Sequence, residues 1–178
     1  MTLARGATRV LALVLALASV PACDEASAPA PNKPDATLRA HAVEPSTPTA
    51  EGLAYIDAVA RAHERADASE GQARIEVLHA ALAMPVPAGL GEAEPLRLEL
   101  AARLGETLAQ TPEGVAAARD LLAPMLATHR SLPVDRATAR ALVVLGDVAL
   151  ESGDDALAAG SYMRAIRVMS MLREELEP

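Results

Sequence analysis

The stretch ARALVVLGDVALESGDDALAAGSYMRAIRVMS, residues 139–170, decides the fold class. Apolar residues recur at steps of three and four on both sides of a turn at residues 152–154, which is the spacing of one face of an α-helix. The small residues Gly146, Ala158 and Ala165 occupy places where two such helices would touch. The stretch therefore predicts a tight hairpin of two amphipathic helices.

The composition of the whole chain favours helices over strands. Hydrophobic residues make up 51% of it, but there is no Phe or Trp and there are only two Tyr. Alanine and leucine, which are the strongest helix formers, supply most of the apolar content together with valine. Such short side chains fill a core only where helices lie close together, so we predict an all-α protein.

Two further helices are predicted between Thr47 and the proline-rich segment at residues 85–87. The first begins with Thr47 as its cap and Pro48 at the first helical position, and it ends near Asp67. The second is expected to be capped by Ser69 and to stop at residues 85–87. This pair forms one antiparallel hairpin.

The middle of the chain predicts a second hairpin. Pro95 is expected to open its first helix, and Thr111 with Pro112 to start its second. Pro124 is expected to bend or end that second helix. With the hairpin of residues 139–170 the total is about six helices. The apolar stripe of the last helix is predicted to be Leu157, Tyr162, Ile166 and Met169.

Residues 1–22 are typical of a secretory leader. Arg5 and Arg9 precede an apolar run of about 11 residues, which is too short for a resident membrane span of roughly 20. The sequence VPAC at residues 20–23 resembles the lipobox of bacterial lipoproteins. The resemblance implies that the chain is cut before Cys23 and that acyl chains on this cysteine hold the new N-terminus in a membrane.

This resemblance implies an address in the cell envelope. The chain would be lipid-anchored at Cys23 to the inner or the outer membrane and would face the periplasm or the exterior. An ordinary signal peptide followed by an incidental cysteine is the alternative. Residues 23–47 are rich in Ala and Pro and have little to bury, so they predict a disordered tether before a helical domain at residues 48–178.

Residues 139–172 resemble a tetratricopeptide repeat, and weaker matches cover residues 98–129 and 54–87. The resemblance implies that three antiparallel hairpins stack as a short TPR-like α-solenoid. A six-helix bundle with Ala-rich helices is the alternative. The places of the family's first helix are taken by Leu142, Leu145, Gly146 and Ala149, and those of its second by Ala158, Tyr162 and Ala165.

In tetratricopeptide-repeat proteins, ligands lie in a concave groove lined by the first helix of each repeat. Carried over to this chain, the resemblance implies a mixed, mildly acidic groove for a protein or peptide partner. An ordinary solvated helix face is the alternative interpretation. The residues placed in the groove are Tyr55, Arg65, Glu99, Glu106, Arg140 and Asp147.

Charge and spacing argue against several other functions. The formal charge of −8 leaves no cluster of Lys and Arg of the kind that a nucleic-acid binder needs. The four histidines have no metal-ligand spacing, and His63 with Asp67 forms a helical i,i+4 pair typical of a surface. No nucleophile elbow or phosphate loop is present, so we predict neither an enzyme, nor a cofactor, nor a metal site.

Together these features predict an envelope lipoprotein whose helical domain is a scaffold for protein–protein interaction. The alternative is a sensory lipoprotein that binds a small molecule or signal in a cavity between its helices. The sequence leaves the identity of the partner, the choice of membrane and the oligomeric state open.

Overall fold

The structure is a computed structural model, and the residues it describes are 38–39, 49–90, 93–128 and 130–176. All of them belong to one unit, Asp35–Pro178. The predicted leader, Cys23 and the predicted tether other than residues 38–39 lie outside the described residues. The predictions about them are therefore untested by the fold.

Six α-helices make up most of the described part of the chain. The predicted all-α class is confirmed, and every predicted helix is present within a few residues of its expected bounds. The helices are α1 (Ala50–Asp67), α2 (Gly71–Leu82), α3 (Ala93–Leu108), α4 (Pro112–Met125), α5 (Arg136–Glu151) and α6 (Asp155–Leu176).

A pair of two-residue strands accompanies the helices. Leu38–Arg39 (β1) pairs in parallel with Leu132–Pro133 (β2), which immediately precedes α5. β1 lies inside the segment predicted to be a disordered tether, so these two residues are an exception to that prediction. A strand this short is defined by its distant partner and not by its own sequence pattern, which is why no local signal indicated it.

Capping side chains fix the starts of α1, α4 and α5. Thr49, Thr111 and Asp135 each accept a hydrogen bond from the backbone N–H three residues later, at 3.0, 3.2 and 2.7 Å. Each bond satisfies one of the amide donors that the first turn of a helix leaves unpaired. The predicted cap Thr111 is confirmed. The predicted cap Thr47 is wrong, because Thr49 has that role in α1.

The predicted cap of α2 is also wrong. The hydroxyl of Ser69 donates backwards to the carbonyl oxygen of Arg65 at 2.7 Å, in the last turn of α1. Glu70 stands at the N-cap position of α2 and makes no capping bond with its side chain. The unpaired carbonyls at the end of α1 therefore compete successfully for a side chain that the spacing assigned to the next helix.

Arginine side chains cap the C-terminal ends of helices from neighbouring elements. Arg74, Arg97 and Arg164 donate to carbonyl oxygens at the ends of α1, α2 and α4, at 2.8, 2.9 and 2.5 Å respectively. A cation at this end also interacts favourably with the helix dipole. These bonds connect α2 to α1, α3 to α2 and α6 to α4.

The turn between α5 and α6 is a Schellman motif. The N–H of Asp154 donates to the carbonyl of Ala149 at 2.8 Å, and that of Gly153 donates to Leu150 at 3.1 Å. Gly153 has a φ of +76°, which a residue with a side chain rarely adopts. The carboxylate of Asp154 then caps α6 through the N–H of Leu157 at 3.1 Å.

The helices of this hairpin touch where the sequence has small residues, as predicted. Gly146 lies under the ring of Tyr162, and a Cβ at Gly146 would come within 2.5 Å of Tyr162 Cε1. Ala158 and Ala165 of α6 are buried. Without a side chain at these points the two helix backbones can approach closely.

The predicted apolar stripe of α6 is partly wrong. Ile166 and Met169 are exposed, although the spacing assigned them to the core. The small residues of α6 face α5 because they allow close approach, so the larger residues on the other side of the helix are left in solvent. The residues of α6 that are buried are Ala158, Ser161, Ala165 and Val168.

The helices pack in chain order, and alternate helices also touch. α1 packs on α2, α2 on α3, α3 on α4, α4 on α5 and α5 on α6, while α3 also contacts α1 and α5. The centre of the domain therefore lies at α3 and α5. Val59, Leu78, Leu100, Leu122 and Leu142 are fully buried members of one apolar core that extends through all six helices.

Replacing Gly146 by Ala is expected to lower the free energy of unfolding. The new methyl group would collide with the ring of Tyr162, and overpacking of this kind costs about 1–3 kcal/mol, against roughly 1 kcal/mol gained in helix propensity. Gly160→Ala in α6 is the matched control, because no atom beyond its chain neighbours and the backbone of its own helical turn lies within 4 Å of its Cβ position. It should raise the stability by about 0.5–1 kcal/mol.

Urea denaturation of the 35–178 unit, followed by circular dichroism, measures both changes. If Gly146→Ala were as stabilising as Gly160→Ala, the tight contact between Gly146 and Tyr162 would be refuted.

Candidate functional site

Polar and charged side chains connect α1, α3 and α5 along one face of the domain. None of these side chains is buried, so the face is accessible to a partner. On α3 they follow each other at steps of four and three residues, which places them in one line along the helix. We call this set the charge ladder; its members are His63, Asp67, Glu99, Arg103, Glu106 and Arg140.

Arg140 connects α5 to α3. Its guanidinium binds Glu106 through two hydrogen bonds, Nη2 to Oε2 at 2.7 Å and Nε to Oε1 at 3.0 Å, and Nη1 also donates to Glu99. Two-point binding of a carboxylate is the strongest geometry available to an arginine. The hydrogen bond to Glu106 raises the pKa of Arg140 above its usual value.

Arg103 connects α3 to α1. Its Nη1 donates to Nδ1 of His63 at 2.8 Å, and its Nη2 forms an ion pair with Asp67. A guanidinium has no acceptor atom, so Nδ1 of His63 must carry the lone pair and the imidazole is neutral. Burial, and secondly the charge of Arg103, lower the pKa of His63 below its usual 6.5.

Glu99, Glu106 and Arg140, three of the six predicted groove residues, lie together in the charge ladder. Tyr55 does not line this face, because its side chain is only 6% exposed and belongs to the core. Its hydroxyl has no hydrogen-bond partner within the described ranges. Arg65 is exposed but lies two residues, just over half a helical turn, from the ladder's position on α1.

Asp147, the sixth predicted residue, lies on the same face of α5 as Arg140, about two turns further along. Its carboxylate accepts a hydrogen bond from the hydroxyl of Tyr162 at 2.6 Å. This bond raises the pKa of Tyr162. Asp147 is thus exposed at the seam between α5 and α6 and is not paired with an arginine in the way that Glu99 and Glu106 are.

His63, Asp67 and Arg103 are functional candidates that the sequence analysis did not place in the groove. The alignment with the repeat family placed other residues of α1 in the groove. It did not include Arg103, although this residue stands between Glu99 and Glu106 at helical spacing. The i,i+4 pair of His63 and Asp67 was the available signal on α1. Its partner Arg103, 40 residues away from His63, could not be identified from local spacing.

An open pocket of about 650 Å³ is a second candidate site. It lies beside the turn between α3 and α4 and the end of α5, and it shares no residue with the charge ladder. Its volume is within the range of small-molecule sites. Arg119 in its wall is ion-paired with Asp154 at 2.7 Å. The pocket is lined by Ala109, Gln110, Pro112, Val115, Ala116, Arg119, Asp120, Glu151 and Ser152.

Three further findings bear on the kind of site. Within the described residues, no three His, Cys, Asp or Glu side chains are grouped so that they could hold a metal ion. None of the helices α1 to α6 is long and apolar enough to cross a membrane. No protein-family model matches the chain, and comparisons with curated proteins and with solved structures return no match.

Lowering the pH from about 7.5 to about 5 is expected to destabilise the domain through His63. The unfolded chain takes up a proton on His63 near pH 6.5, whereas the folded chain holds the pKa of this residue lower. The free energy of unfolding therefore falls as the pH drops from 6.5 to the lower pKa of the folded state, and below that pKa the loss is complete.

The variant His63→Gln should flatten this part of the pH profile, because the amide oxygen can still accept from Arg103 but does not titrate. His79→Gln, which removes an exposed histidine of α2, is the matched control for the substitution itself. Urea denaturation at half-unit pH steps measures the effect. A profile unchanged by His63→Gln would assign the proton uptake to another group.

Proposed function

We propose that this protein is an envelope lipoprotein whose helical domain is a scaffold for protein–protein interaction. The anchor is Cys23, which follows a secretory leader and a sequence that resembles a lipobox. Two or three acyl chains on this cysteine would hold the protein stably in a membrane, since each buried CH₂ contributes about 0.8 kcal/mol. The Ala/Pro-rich segment after Cys23 would separate the helical domain from the lipid surface.

The packing order of the helices supports a TPR-like arrangement. In stacked repeats the first helices of successive hairpins touch each other, and α3 here contacts both α1 and α5. Glycines also occupy two points of close approach that the repeat pattern assigns to Gly. A Cβ at Gly105 would meet Leu122 at 2.8 Å, and one at Gly146 would meet Tyr162.

The charge ladder is the observation that carries the scaffold function. It forms an exposed, polar surface across the three helices that would line the groove of a TPR-like stack. Its arginines are fixed by the ion pairs and hydrogen bonds to α1 and α3, so the surface is preorganised, and preorganisation lowers the entropic cost of binding. Carboxylates outnumber arginines in the ladder, so the partner segment it fits best is neutral or basic.

Capture of the partner tests the ladder as the interface. The full chain is crosslinked to its partner in the envelope and purified under denaturing conditions. The natural chain and the Asp57→Lys variant should recover the same partner protein. Asp57 is an exposed acid paired with Arg61 on α1 outside the ladder, so it matches Glu106 in chemistry. Glu106→Lys should reduce the recovery at least about tenfold, as the loss of a central charged contact does.

Equal recovery with Glu106→Lys and Asp57→Lys would remove the ladder from the proposal. Protease resistance of each variant in the membrane fraction provides the control for folding. Binding should also weaken with added salt, because the contact is between exposed charges.

The lipid anchor has its own test. The full chain is expressed in cells that are fed a palmitate analogue. The natural protein should incorporate the analogue, whereas the Cys23→Ala variant should remain unlabelled and keep its leader. Membrane fractionation and the intact mass of the purified protein measure the modification and the cleavage. A labelled Cys23→Ala variant, or an unlabelled natural chain, would contradict the anchor.

A sensory lipoprotein that binds a small molecule is the second candidate function, and the pocket beside the end of α5 favours it. Its polar and apolar lining residues suit a small amphipathic ligand. A thermal-shift screen with envelope metabolites should then give a ligand that raises the melting temperature. The increase should be lost when Val115→Trp fills the pocket and kept in Glu106→Lys, which lies outside it.

A further inference from the structure

α6 carries an apolar stripe on the face that is turned away from α5. Met163, Ile166 and Met169 are 66%, 59% and 49% exposed and follow each other at three-residue steps. The exposed Ala159 extends the stripe by one turn toward the start of the helix. Met163, Ile166 and Met169 account for half of the large hydrophobic side chains that are exposed in the described part of the chain.

The two ends of this stripe carry opposite charges. Asp155 stands 11 residues before Ile166 and Arg173 stands seven residues after it, which are about three turns and about two turns of helix. Both residues are exposed, and both lie on the same line of α6 as Ile166. The line through Ile166 therefore carries an acid, Asp155, at one end and a base, Arg173, at the other, where the exposed Glu174 and Glu175 follow it.

We propose that α6 pairs with α6 of a second copy of this chain, antiparallel about a two-fold axis near Ile166. In this arrangement Ile166 meets its own symmetry mate, and Met163 of each copy faces Met169 of the other. Asp155 of each copy comes within reach of Arg173 of the other. The surface is self-complementary, as a two-fold interface requires.

Charge selects the antiparallel orientation. A parallel pair of α6 helices would place Asp155 beside Asp155 and Arg173 beside Arg173, and like charges across an interface are unfavourable. The same charges argue against a lipid surface as the occupant. Helices that lie on membranes are rich in Lys and Arg on their polar face. The exposed charged residues of α6 are instead three acids and one base, namely Asp155, Glu174, Glu175 and Arg173.

The size of the surface sets the expected strength of the dimer. α6 has 22 residues and is therefore about 33 Å long. A single helix pair of this length buries on the order of 1,000 Å² in total, which is at the low end for a specific interface. We therefore expect a reversible dimer with a Kd in roughly the micromolar range. The flexible side chains of Met163 and Met169 adapt to each other at such a contact.

Photocrosslinking of the full chain in cells tests this pairing and its orientation. Met169 is replaced by p-benzoylphenylalanine, and two differently tagged copies are expressed together. Irradiation should give a product of twice the chain's mass that contains both tags. Mass spectrometry should place the crosslink near Met163, as the antiparallel pair requires. A crosslink near Met169, or a product with lipid or with another protein only, overturns the proposal.

Charge reversal gives an independent test with an internal rescue. Asp155→Arg and Arg173→Asp should each lower the crosslinked fraction about tenfold, because two attractive pairs per dimer become repulsive. The double variant restores the pairs with their signs exchanged and should regain the natural fraction within about threefold. The two residues are too far apart within one copy to compensate each other, so failure of the double variant to recover overturns the proposal.

A matched pair of apolar substitutions completes the experiment. Ile166→Arg should abolish the crosslink between copies. Leu53→Arg replaces an equally exposed apolar residue, on α1, and should leave the crosslink unchanged. Equal loss in both variants overturns the proposal, and protease resistance of each variant verifies that the chain is folded.

Discussion

Close approach between helices is the constraint on which this structure depends. The chain has no Phe or Trp, so short side chains must exclude water from the core, and they do so only when helix backbones lie near each other. Gly146 and Gly105 provide this at the α5–α6 and α3–α4 contacts, where Tyr162 and Leu122 occupy the space that a Cβ would need. Close approach also determines which residues of α6 are exposed. Because small residues face inward on α6, its large residues face outward.

Arginines connect the helices through polar contacts in addition to the apolar core. Arg74, Arg97 and Arg164 cap the ends of neighbouring helices, while Arg103 and Arg140 join the three helices of the charge ladder. Partly exposed ion pairs of this kind contribute little stability, roughly 1 kcal/mol or less each. Their effect is to fix the orientation of the helices and to keep one face polar and ordered, which suits the scaffold function we propose.

Two surfaces with different chemistry lie on different helices of this domain. The charge ladder is polar and spans α1, α3 and α5, whereas the stripe around Ile166 is apolar and belongs to α6 alone. A polar, preorganised surface suits a partner that must be released, and an apolar stripe with opposite charges at Asp155 and Arg173 suits a second copy. Self-association through α6 would leave the ladder accessible, so the proposed dimer and the proposed scaffold are compatible.

The sequence by itself determined the all-α class, the order of the six helices, the cap at Thr111 and the small-residue contact at Gly146. The class, the helix order and the cap depend on residues within one or two helical turns of each other. The contact at Gly146 joins two helices that are connected by a short turn, so the spacing of small residues on both helices was enough to predict it. Only the tertiary structure decided that Tyr55 is buried, that Ile166 is exposed and that Arg103 binds His63. Each of these depends on which face of a helix packs against a distant helix. That orientation is decided by all the apolar and charged helix faces together, because they compete for the same buried positions.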